Sequence, residues 1–424
     1  MDNPARAAIL SAMTEPRSAP SDIVIAGGSL TGATLALALA SAGFSVTVID
    51  PTPPDAQQAG DFDGRSYALA HASVRMLKAL GLWDGIAANS QPILQVKASD
   101  GRAGGGAGPL FLSLDHAEID EGPMGWMIED RYLRRALMAA LDAAPLVQFR
   151  AGRRVTAQAP APAGIAVTLD DGAVLEAALL VGADGRRSGT ASRAGIRRTG
   201  WSYGQTALVC AIEHERPHEG IAHQFFMPEG PLAILPLPGN RSSIVWTERD
   251  ARAALVNRLD EAEYLAVLRP RFGDFLGALQ LAGARFSYPL SLSMAQTVMA
   301  ERVVLLGDAA QGVHPIAGQG LNQGLRDVAT LAEVLADARR RGEDAGSWGV
   351  LDRHRAWRSF DRAALGLATD GFNRLFSNDN PVLRLGRDLG MGLTHRLPGL
   401  RQRLIREAAG LEGEVPRLLR GRPL

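Results

Sequence analysis

The sequence is almost without cysteine, since Cys210 is the one thiol among 424 residues. A single thiol excludes an intramolecular disulfide framework and a cysteine-based metal cluster, and it is typical of a chain kept in a reducing cytosol. We expect Cys210 to be a small buried hydrophobe. Net charge is also missing, because 45 Lys and Arg residues balance 45 Asp and Glu residues. No overall field therefore draws the molecule to nucleic acid.

Long uninterrupted apolar runs are absent as well. The most apolar stretch, 33–49, is interrupted by Ser41, Gly43 and Ser45, and it predicts a buried helix followed by a buried strand rather than a membrane span. Residues 1–20 have no apolar core, so we expect a disordered leader and not an export signal. The expected location is the cytoplasm. With 46% hydrophobic residues, the chain is able to bury a large core in two or three globular units.

The first recognisable unit is a strand, a glycine-rich turn, a helix and a second strand over residues 22–50. In Gly27-x-Ser29-x-x-Gly32 the glycines let the backbone turn sharply and approach a pyrophosphate held on the helix N-terminus, although Ser29 replaces the middle glycine. Asp50 closes the second strand, where a carboxylate accepts hydrogen bonds from an adenosine ribose. The pattern predicts a Rossmann-type nucleotide site, and a plain glycine-rich turn in an α/β domain is the alternative. The candidate ligands are Gly27, Gly28, Ser29, Gly32 and Asp50.

Two later apolar runs, 179–185 and 303–308, are predicted to be strands of the same nucleotide domain. Short β-leaning segments lie between them and predict an inserted antiparallel sheet, which we interpret as a substrate platform. A second glycine cluster, Gly318, Gly320 and Gly324, accompanies a helix predicted to begin near Gly320. The N–H groups and positive dipole end of that helix suit a partner that develops negative charge, such as the N1–C2=O edge of a reduced flavin.

Several segments together resemble one family. They are 27–32, 63–65, 184–185, 203–205, 230–236, 307–308 and 314–327. From about Ser21 to past Asp370 the chain resembles the class A flavoprotein aromatic hydroxylases, and 314–327 is similar to the signature of their ubiquinone-biosynthesis branch. The resemblance implies an α/β fold: a Rossmann-type FAD-binding domain with an inserted antiparallel β-sheet substrate domain and C-terminal helices, as in p-hydroxybenzoate hydroxylase.

The expected domain organisation follows from that fold. Its parts are a disordered leader 1–20, the first part of the FAD-binding domain 21–195 with a substrate-domain excursion near 90–125, the substrate domain 196–287, the second part of the FAD-binding domain 288–365 and a C-terminal helical tail 366–424.

The resemblance also implies further site residues. Arg65 matches an arginine that approaches the flavin and helps to receive the NADPH phosphates, and Asp184 matches a residue that contacts both FAD and NADPH. His314 and Pro315 match backbone at the reactive face of the flavin, so these two and Arg65 are the catalytic candidates, and no general base is assigned. The structural alternatives are a surface salt bridge for Arg65 and a loop-stabilising hydrogen bond for His314. The remaining cofactor-binding candidates are Asp308, for a ribityl hydroxyl, and Gly318, Gln319, Gly320, Leu321 and Asn322.

By the same resemblance the cofactor is FAD and NAD(P)H is the transient reductant. O₂ adds to the reduced flavin to give a C4a-hydroperoxide, and the ring of a polyprenylated phenol attacks its distal oxygen while the protein keeps water out. The expected substrate is of the 2-polyprenyl-6-methoxyphenol type, hydroxylated at C1 or C5. A flavin reductase of prenyl lipids and a non-catalytic FAD-containing quinone-lipid carrier or scaffold are the alternatives.

Two apolar regions bear on a lipid substrate. In the insert, either an apolar chamber or ordinary sheet core is formed by Phe225, Phe226, Met227, Leu232, Ile234, Leu235 and Trp246. The tail interleaves Arg and Leu residues from Leu383 to Arg406. This pattern predicts either peripheral contact with an anionic inner membrane or a helix packed on the domain with a solvated arginine face. Contact with a ubiquinone-biosynthesis protein assembly is a further expectation.

Overall fold

The computed structural model describes residues 21–53, 62–104, 106–161, 163–312, 319–359, 390 and 392–424. Its strands are β1 (Ser21–Ala26), β2 (Val46–Asp50), β3 (Ser66–Ala70), β4 (Ser90–Ile93), β5 (Gln95–Arg102), β6 (Gly106–Asp115), β7 (Gly125–Glu129), β8 (Val147–Ala151), β9 (Val155–Ala161), β10 (Gly164–Leu169), β11 (Val174–Gly182), β12 (Arg198–His214), β13 (Ile221–Met227), β14 (Gly230–Leu237), β15 (Arg241–Arg249), β16 (Leu279–Ala295), β17 (Met299–Ala300), β18 (Val303–Leu305) and β19 (Gln311–Gly312). Its helices are α1 (Leu30–Ser41), α2 (His71–Ala79), α3 (Asp84–Ala87), α4 (Asp130–Ala143), α5 (Gly189–Arg193), α6 (Asp250–Val256), α7 (Glu261–Phe272), α8 (Gln319–Arg340) and α9 (Pro398–Ala408). Residues 348–359 and 392–396 are also helical. The predicted leader lies outside the described residues.

A mostly parallel sheet carries the first glycine-rich turn. Its strands are ordered β17-β18-β11-β1-β2-β8, with β10 and β9 added beside β11. Ala26 at the end of β1 and Leu305 at the end of β18 both pair with Gly182 of β11. The carboxyl ends of these three strands therefore meet at one edge, the edge at which ligands bind in open α/β sheets.

Both faces of the parallel sheet are covered, which explains the continuous apolar runs in its strands. Ile23 and Ile25 of β1 pack in a core that includes Leu35 of α1 and Val328 of α8. Val24, between the two isoleucines, belongs to the core on the other face. Because successive side chains of a strand alternate between faces, a covered strand needs apolar residues at every position.

An antiparallel sheet forms the second layer and confirms the predicted insert. Its order is β19-β16-β12-β15-β14-β13-β5-β6, and β13 with β5 is its one parallel pair among the described strands. Helices α6 and α7 cover one face, where Trp246, Tyr264 and Phe272 share a core. Helix α7 begins at a capping box, in which the Asp260 and Glu263 side chains each accept a backbone N–H of the other residue.

The domain boundaries stay a prediction. Strands β5 and β6, within the expected excursion near 90–125, belong to the antiparallel sheet. Strand β16 runs without interruption through position 287.

A separate three-stranded sheet has the order β3-β7-β4. Strand β3 leads into α2 and β7 leads into α4. The end of the chain returns to this region, because Leu418 and Leu419 are buried in the core that contains α2. Within the described residues, none of the helices has both the length and the apolar character needed to cross a membrane.

Candidate functional site

Two glycines of the first motif, Gly27 in the turn after β1 and Gly32 in α1, leave no room for a side chain. Gly27 has a φ of 102°, and a Cβ added there would lie 2.3 Å from the carbonyl oxygen of Ala183. A Cβ added to Gly32 would lie 1.8 Å from the carbonyl oxygen of Gly27. The backbone of β1, α1 and the segment after β11 is therefore in direct contact, and this contact fixes the start of α1 at the sheet edge.

Asp50 holds the same turn from the end of β2. One carboxylate oxygen accepts the N–H of Gly28 at 2.7 Å, and the other accepts the N–H of Thr52 at 2.8 Å. Asp50 is 7% exposed, and a Cβ on Gly28 would lie 2.5 Å from the ring of Phe149. A carboxylate has about four acceptor positions, so two remain for the hydroxyls of a ribose.

Ser29 stands immediately before α1 and is exposed. Its side chain makes no capping hydrogen bond within the described part of the chain, and the first turn of α1 contains no acidic residue. The helix N-terminus thus keeps backbone N–H groups that are suited to an anionic group such as a pyrophosphate.

Helices α1 and α8 cross closely at small residues. A Cβ on Gly324 would lie 2.9 Å from Oγ1 of Thr31, and a Cβ on Gly307 would lie 3.4 Å from the same oxygen. Helix α8 begins at Gln319, which agrees with the start predicted near Gly320. This contact brings the N-termini of both helices, and so both glycine motifs, to the same edge of the parallel sheet.

Buried polar side chains support Gly307 and the first part of α8. The N–H of Gly307 donates to Oδ2 of Asp327 at 3.1 Å, and Nε of Arg358 donates to Oδ1 of the same residue at 2.8 Å. Arg358 also donates to Oε1 of Gln323 at 2.8 Å. Sequence reasoning missed Arg358, because it lies well beyond the motif that it supports.

Asn322 uses its amide inside the protein. Its Oδ1 accepts the N–H of Ala70 and the hydroxyl of Ser73, each at 2.8 Å, and its Nδ2 donates to the carbonyl of Ala68 at 2.8 Å. The side chain therefore ties α8 to β3 and α2. Its expected contact with the cofactor stays a prediction that concerns its backbone, as it does for Gln319, Gly320 and Leu321 in the same first turn of α8.

The two strand-end aspartates have different partners. Asp184 supports the start of α5, whose N-cap is Ser188: its carboxylate accepts the N–H and the hydroxyl of Thr190, both at 2.9 Å, and the hydroxyl of Ser188. Asp308 is 43% exposed at its side chain and lies 3.1 Å from Nε of Arg186. Sequence reasoning did not include Arg186, although its position directly after Gly185 was an available signal. The roles of both aspartates toward FAD stay predictions.

Arg65 lies in a charged cluster at the start of β3. Its guanidinium lies 2.6 Å from Asp63 and 3.4 Å from Asp130, and its side chain is 39% exposed. Partial burial lowers the pKa of Arg65, but the hydrogen bond to Asp63 and the charges of Asp130 and Asp63 outweigh it, so that the pKa lies above its usual value. Arg65 is therefore a permanent cation held in place by two carboxylates. The salt bridges considered from the sequence are present, and contact with the flavin stays a prediction.

Three predicted residues, His314, Pro315 and Gly318, lie outside the described residues. The preceding strand β19 pairs with β16, where Ser293 and Gly312 face each other.

Of the two interpretations of the apolar residues in the insert, ordinary sheet core holds for most of them. The core under α6 and α7 contains Phe225, Met227, Leu232, Ile234 and Trp246. Phe226 and Leu235 belong to clusters outside that core. Cys210 is fully buried, as expected, and burial raises the pKa of its thiol to about 11.

The geometry defines a class of protein. Gly27 after β1 and Gly307 after β18 lie at one edge of a parallel sheet, with the N-terminus of α8 packed beside them, and an antiparallel sheet forms the second layer. This arrangement is that of a dinucleotide-binding protein with a separate substrate platform.

Residues 20–359 match the FAD binding domain family. The chain is 47% identical over 406 residues to the ubiquinone hydroxylase UbiL of Rhodospirillum rubrum, covering 95% of this chain and 93% of that protein. It is 34% identical to the 3-demethoxyubiquinol 3-hydroxylase of Escherichia coli, covering 92% of this chain and 99% of that protein. The chain therefore belongs to the FAD binding domain family and, within it, to the ubiquinone hydroxylases.

Solved structures show the same fold. The p-nitrophenol 4-monooxygenase PnpA of Pseudomonas putida superposes with a TM-score of 0.77 at 19% identity, covering 93% of this chain and 99% of that chain. The anhydrotetracycline hydroxylase OxyS of Streptomyces rimosus superposes with a TM-score of 0.69 at 23% identity, covering 94% of this chain and 77% of that chain. The expected fold class is confirmed, and FAD-dependent monooxygenase is the enzyme class of this family.

Proposed function

We propose that the protein hydroxylates the aromatic ring of a polyprenylated phenol in ubiquinone biosynthesis, using NAD(P)H and O₂. The observation that carries the proposal is the meeting of two glycine motifs at one sheet edge, because a single FAD would be able to span both helix N-termini. The names of the relatives from Rhodospirillum rubrum and Escherichia coli support the substrate class.

The residues at the sheet edge suit FAD. The backbone at Gly27, Gly28 and Gly32, with the N-terminus of α1, would hold the pyrophosphate, and Asp50 would accept ribose hydroxyls. The N-terminus of α8 would face the edge of the flavin where negative charge develops. FAD, when bound, supplies the electron transfer and oxygen activation that the reaction needs. The chain's own part is to orient the phenol and exclude water.

Asp50 gives a direct test of the cofactor assignment. Asp50→Asn keeps the shape and one acceptor, for the Gly28 N–H, but it loses the acceptor for the Thr52 N–H and removes the charge toward the ribose. We expect the Kd for FAD, measured by flavin fluorescence, to rise by about tenfold to a hundredfold. Asp171→Asn changes a carboxylate in an exposed turn and should leave the Kd unchanged. Unaltered FAD affinity in Asp50→Asn would remove Asp50 from the site.

Isotope incorporation tests the reaction. With a polyprenylated phenol, we expect substrate-stimulated NAD(P)H oxidation and one ¹⁸O atom from ¹⁸O₂ in the product. A flavin reductase would oxidise NAD(P)H without oxygen, and a carrier would show no stimulated oxidation. Either of these results would replace the proposal.

We place the ring position at C1, or the neighbouring C5, of a 2-polyprenyl-6-methoxyphenol-type substrate. Bacterial strains that each lack one ring hydroxylase separate these positions, because rescue of ubiquinone synthesis identifies the missing step. Rescue of a strain blocked at any other position contradicts this placement.

The C-terminal segment is proposed to make peripheral contact with an anionic membrane surface from the cytoplasmic side. Helix α9 packs on the protein through Ile405, which is fully buried, while Leu393, Leu397 and Leu400 are 62%, 45% and 41% exposed. Exposed Arg396 lies among these leucines. A basic apolar surface of this kind suits anionic lipid.

Vesicle flotation tests the contact. Replacing Leu393, Leu397 and Leu400 by Ser should reduce flotation with phosphatidylglycerol vesicles and leave FAD content unchanged. Leu255→Ser, at a position that is 62% exposed on α6, is the matched control. Equal flotation of both variants and the original chain would exclude this surface, and contact with a ubiquinone-biosynthesis assembly would then be the remaining proposal for it.

A further inference from the structure

A cross-strand row of half-buried residues runs over the antiparallel sheet, and we call it the furrow. Register pairs join its members one strand at a time, from β16 to β6. In that order they are Phe286, Val209, Val245, Ala233, Gln224, Ala98 and Leu112, and each is half-buried.

The furrow faces away from α6 and α7. Leu208 and Cys210, which flank Val209, are buried in the core under those helices, and so is Trp246, which follows Val245. Because neighbouring residues of a strand point to opposite faces, Val209 and Val245 point to the other side of the sheet. On that side Leu112 packs against a cluster that includes Met127 of β7.

Beside the central strands, four residues are more deeply buried than the furrow itself. On one side Ala211 and Ala222 are 0% and 3% exposed, and on the other Ala207 and Thr247 are each 2% exposed. Three consecutive members of the furrow, Val209, Val245 and Ala233, carry small apolar side chains, and the next member, Gln224, is polar. A half-buried row flanked at its centre by more deeply buried residues, with small side chains over three strands, forms a shallow and mostly apolar groove across the sheet.

The first end of the furrow adjoins the charged cluster of Arg65. Gly64 lies against β16, since a Cβ added there would lie 2.8 Å from the carbonyl oxygen of Ala284 and 3.6 Å from the ring of Phe286. Arg65 is the next residue. The Phe286 end is therefore next to the arginine that is expected to approach the flavin.

The other end adjoins the C-terminal segment. Leu112 packs against a cluster that contains Leu114 of the same strand and Ile405 of α9. The neighbouring Ser113 donates its N–H to Nδ1 of His395 at 3.4 Å. The furrow thus leads from Arg65 to the segment whose leucines are exposed.

We infer that the furrow holds the polyprenyl tail of the substrate, with the phenol ring at the Phe286 end and the tail crossing the strands toward α9. The inference rests on the proposed function, because it requires the ring to react near Arg65. Strands lie about 4.8 Å apart, so six spacings give the furrow a length of roughly 29 Å. An apolar tail leaves water along this whole path, whereas a phenol without a tail occupies only its beginning.

Filling the floor of the furrow tests the inference. Ala233→Trp, and the milder Val245→Phe, should raise the KM for a long-tailed phenol on the order of tenfold or more, because the added ring takes the volume of the tail. The KM for the same phenol without its tail should stay unchanged. Leu255→Trp adds the same ring at a position that is 62% exposed on α6, and it should change neither KM.

The KM and binding measurements test the role of the furrow independently of the proposed reaction. A rise of both KM values, or of neither, in variants that retain FAD overturns the inference. Calorimetric binding of the long-tailed phenol is measured in parallel, and loss of binding in Ala233→Trp with retention in Leu255→Trp is the expected result. If the original chain forms no hydroxylated product, the proposed function fails, and the binding data still decide whether the furrow takes the tail.

Discussion

At the scale of single residues, the position of Gly307 beside α8 depends on a buried ion pair. The side chains of Arg358 and Asp327 are 1% and 4% exposed and lie 2.8 Å apart, and Asp327 also accepts the N–H of Gly307. Arg358→Met leaves a buried carboxylate without its cation. We expect the free energy of unfolding to fall by about 3–5 kcal/mol, as measured by urea denaturation of the FAD-free protein.

An exposed pair in the same helix is the control for this prediction. Arg355 and Asp352 are 47% and 41% exposed at their side chains. Arg355→Met should cost less than about 1 kcal/mol. Equal losses in the two variants would contradict a special role for the buried pair.

His223 gives the protein a dependence of stability on pH. Burial lowers the pKa of His223 to about 4, with a smaller contribution from the charge of Lys97. Between about pH 4 and 6.5 the unfolded chain binds the proton more readily, so stability is complete above pH 6.5 and is lost as the pH falls toward 4. We expect His223→Phe to lack this loss, which amounts to at most about 3 kcal/mol. Urea unfolding midpoints between pH 4.5 and 7 measure this loss of stability. If the midpoints of the original chain and of His223→Phe changed equally with pH, the prediction would be contradicted.

The sequence predicted some residues of the candidate site and missed others for a physical reason. Gly27, Gly32 and Asp50 belong to one continuous βαβ unit, where spacing along the chain reports position in space. Arg186 and Arg358 contact residues that are 122 and 31 positions away. Such contacts form only when the chain folds, so the spacing of charged residues along the sequence does not predict them.

At the scale of elements, the crossing of α1 and α8 sets the distance between the two motifs. Gly324→Ala would place a Cβ 2.9 Å from Oγ1 of Thr31. In most helices a change from Gly to Ala stabilises by about 0.5–1 kcal/mol. Here we expect a loss of stability and weaker FAD binding, because the helices must move apart. Thermal unfolding and flavin fluorescence measure both effects.

Two further variants isolate the crossing. Thr31→Ala removes the atom that the new methyl group would meet, so the double variant should regain stability and FAD affinity. Gly349→Ala, in the exposed part of the helix 348–359, has no atom within 4 Å of the added Cβ and should be neutral or slightly stabilising. Failure of Thr31→Ala to rescue would show that the crossing is not the cause.

The strands of the substrate sheet were predictable, but their faces were not. Segments rich in apolar residues, such as Ala222 to Met227, became strands as expected. Helices cover one face, and β7 with the C-terminal segment covers part of the other. Both faces are therefore apolar, and the alternation that normally distinguishes core from solvent is lost.

At the scale of the whole molecule, Glu129 joins the small sheet to the substrate sheet. It is fully buried at the end of β7 and lies 2.8 Å from both Arg131 and Arg241, the latter at the start of β15. We call this contact between the small sheet and the substrate sheet the joint. We expect Glu129→Gln to weaken it, since two arginines lose their shared counter-charge. Hydrogen exchange should become faster in β12 to β15 while β1 and β2 keep their protection.

A similar carboxylate on the surface serves as the control for the joint. Glu343 also pairs with two arginines, Arg341 and Arg353, but its side chain is 35% exposed. Glu343→Gln should leave exchange in the substrate sheet unchanged. Uniform acceleration in all sheets of Glu129→Gln would mean that the glutamate supports general stability instead of the joint.

The pairing of Gly182 with both Ala26 and Leu305 has a consequence for biosynthesis. The ribosome produces β1 and β11 long before β18, so a growing chain carries one bare edge on β11 at Leu180 to Gly182 until the last parallel strand emerges. Nascent polypeptides of this length would be prone to associate with one another, and they would be unable to capture the yellow cofactor. Translational stalling before Val303 should therefore yield colourless aggregates, whereas release after Leu424 should yield coloured protein.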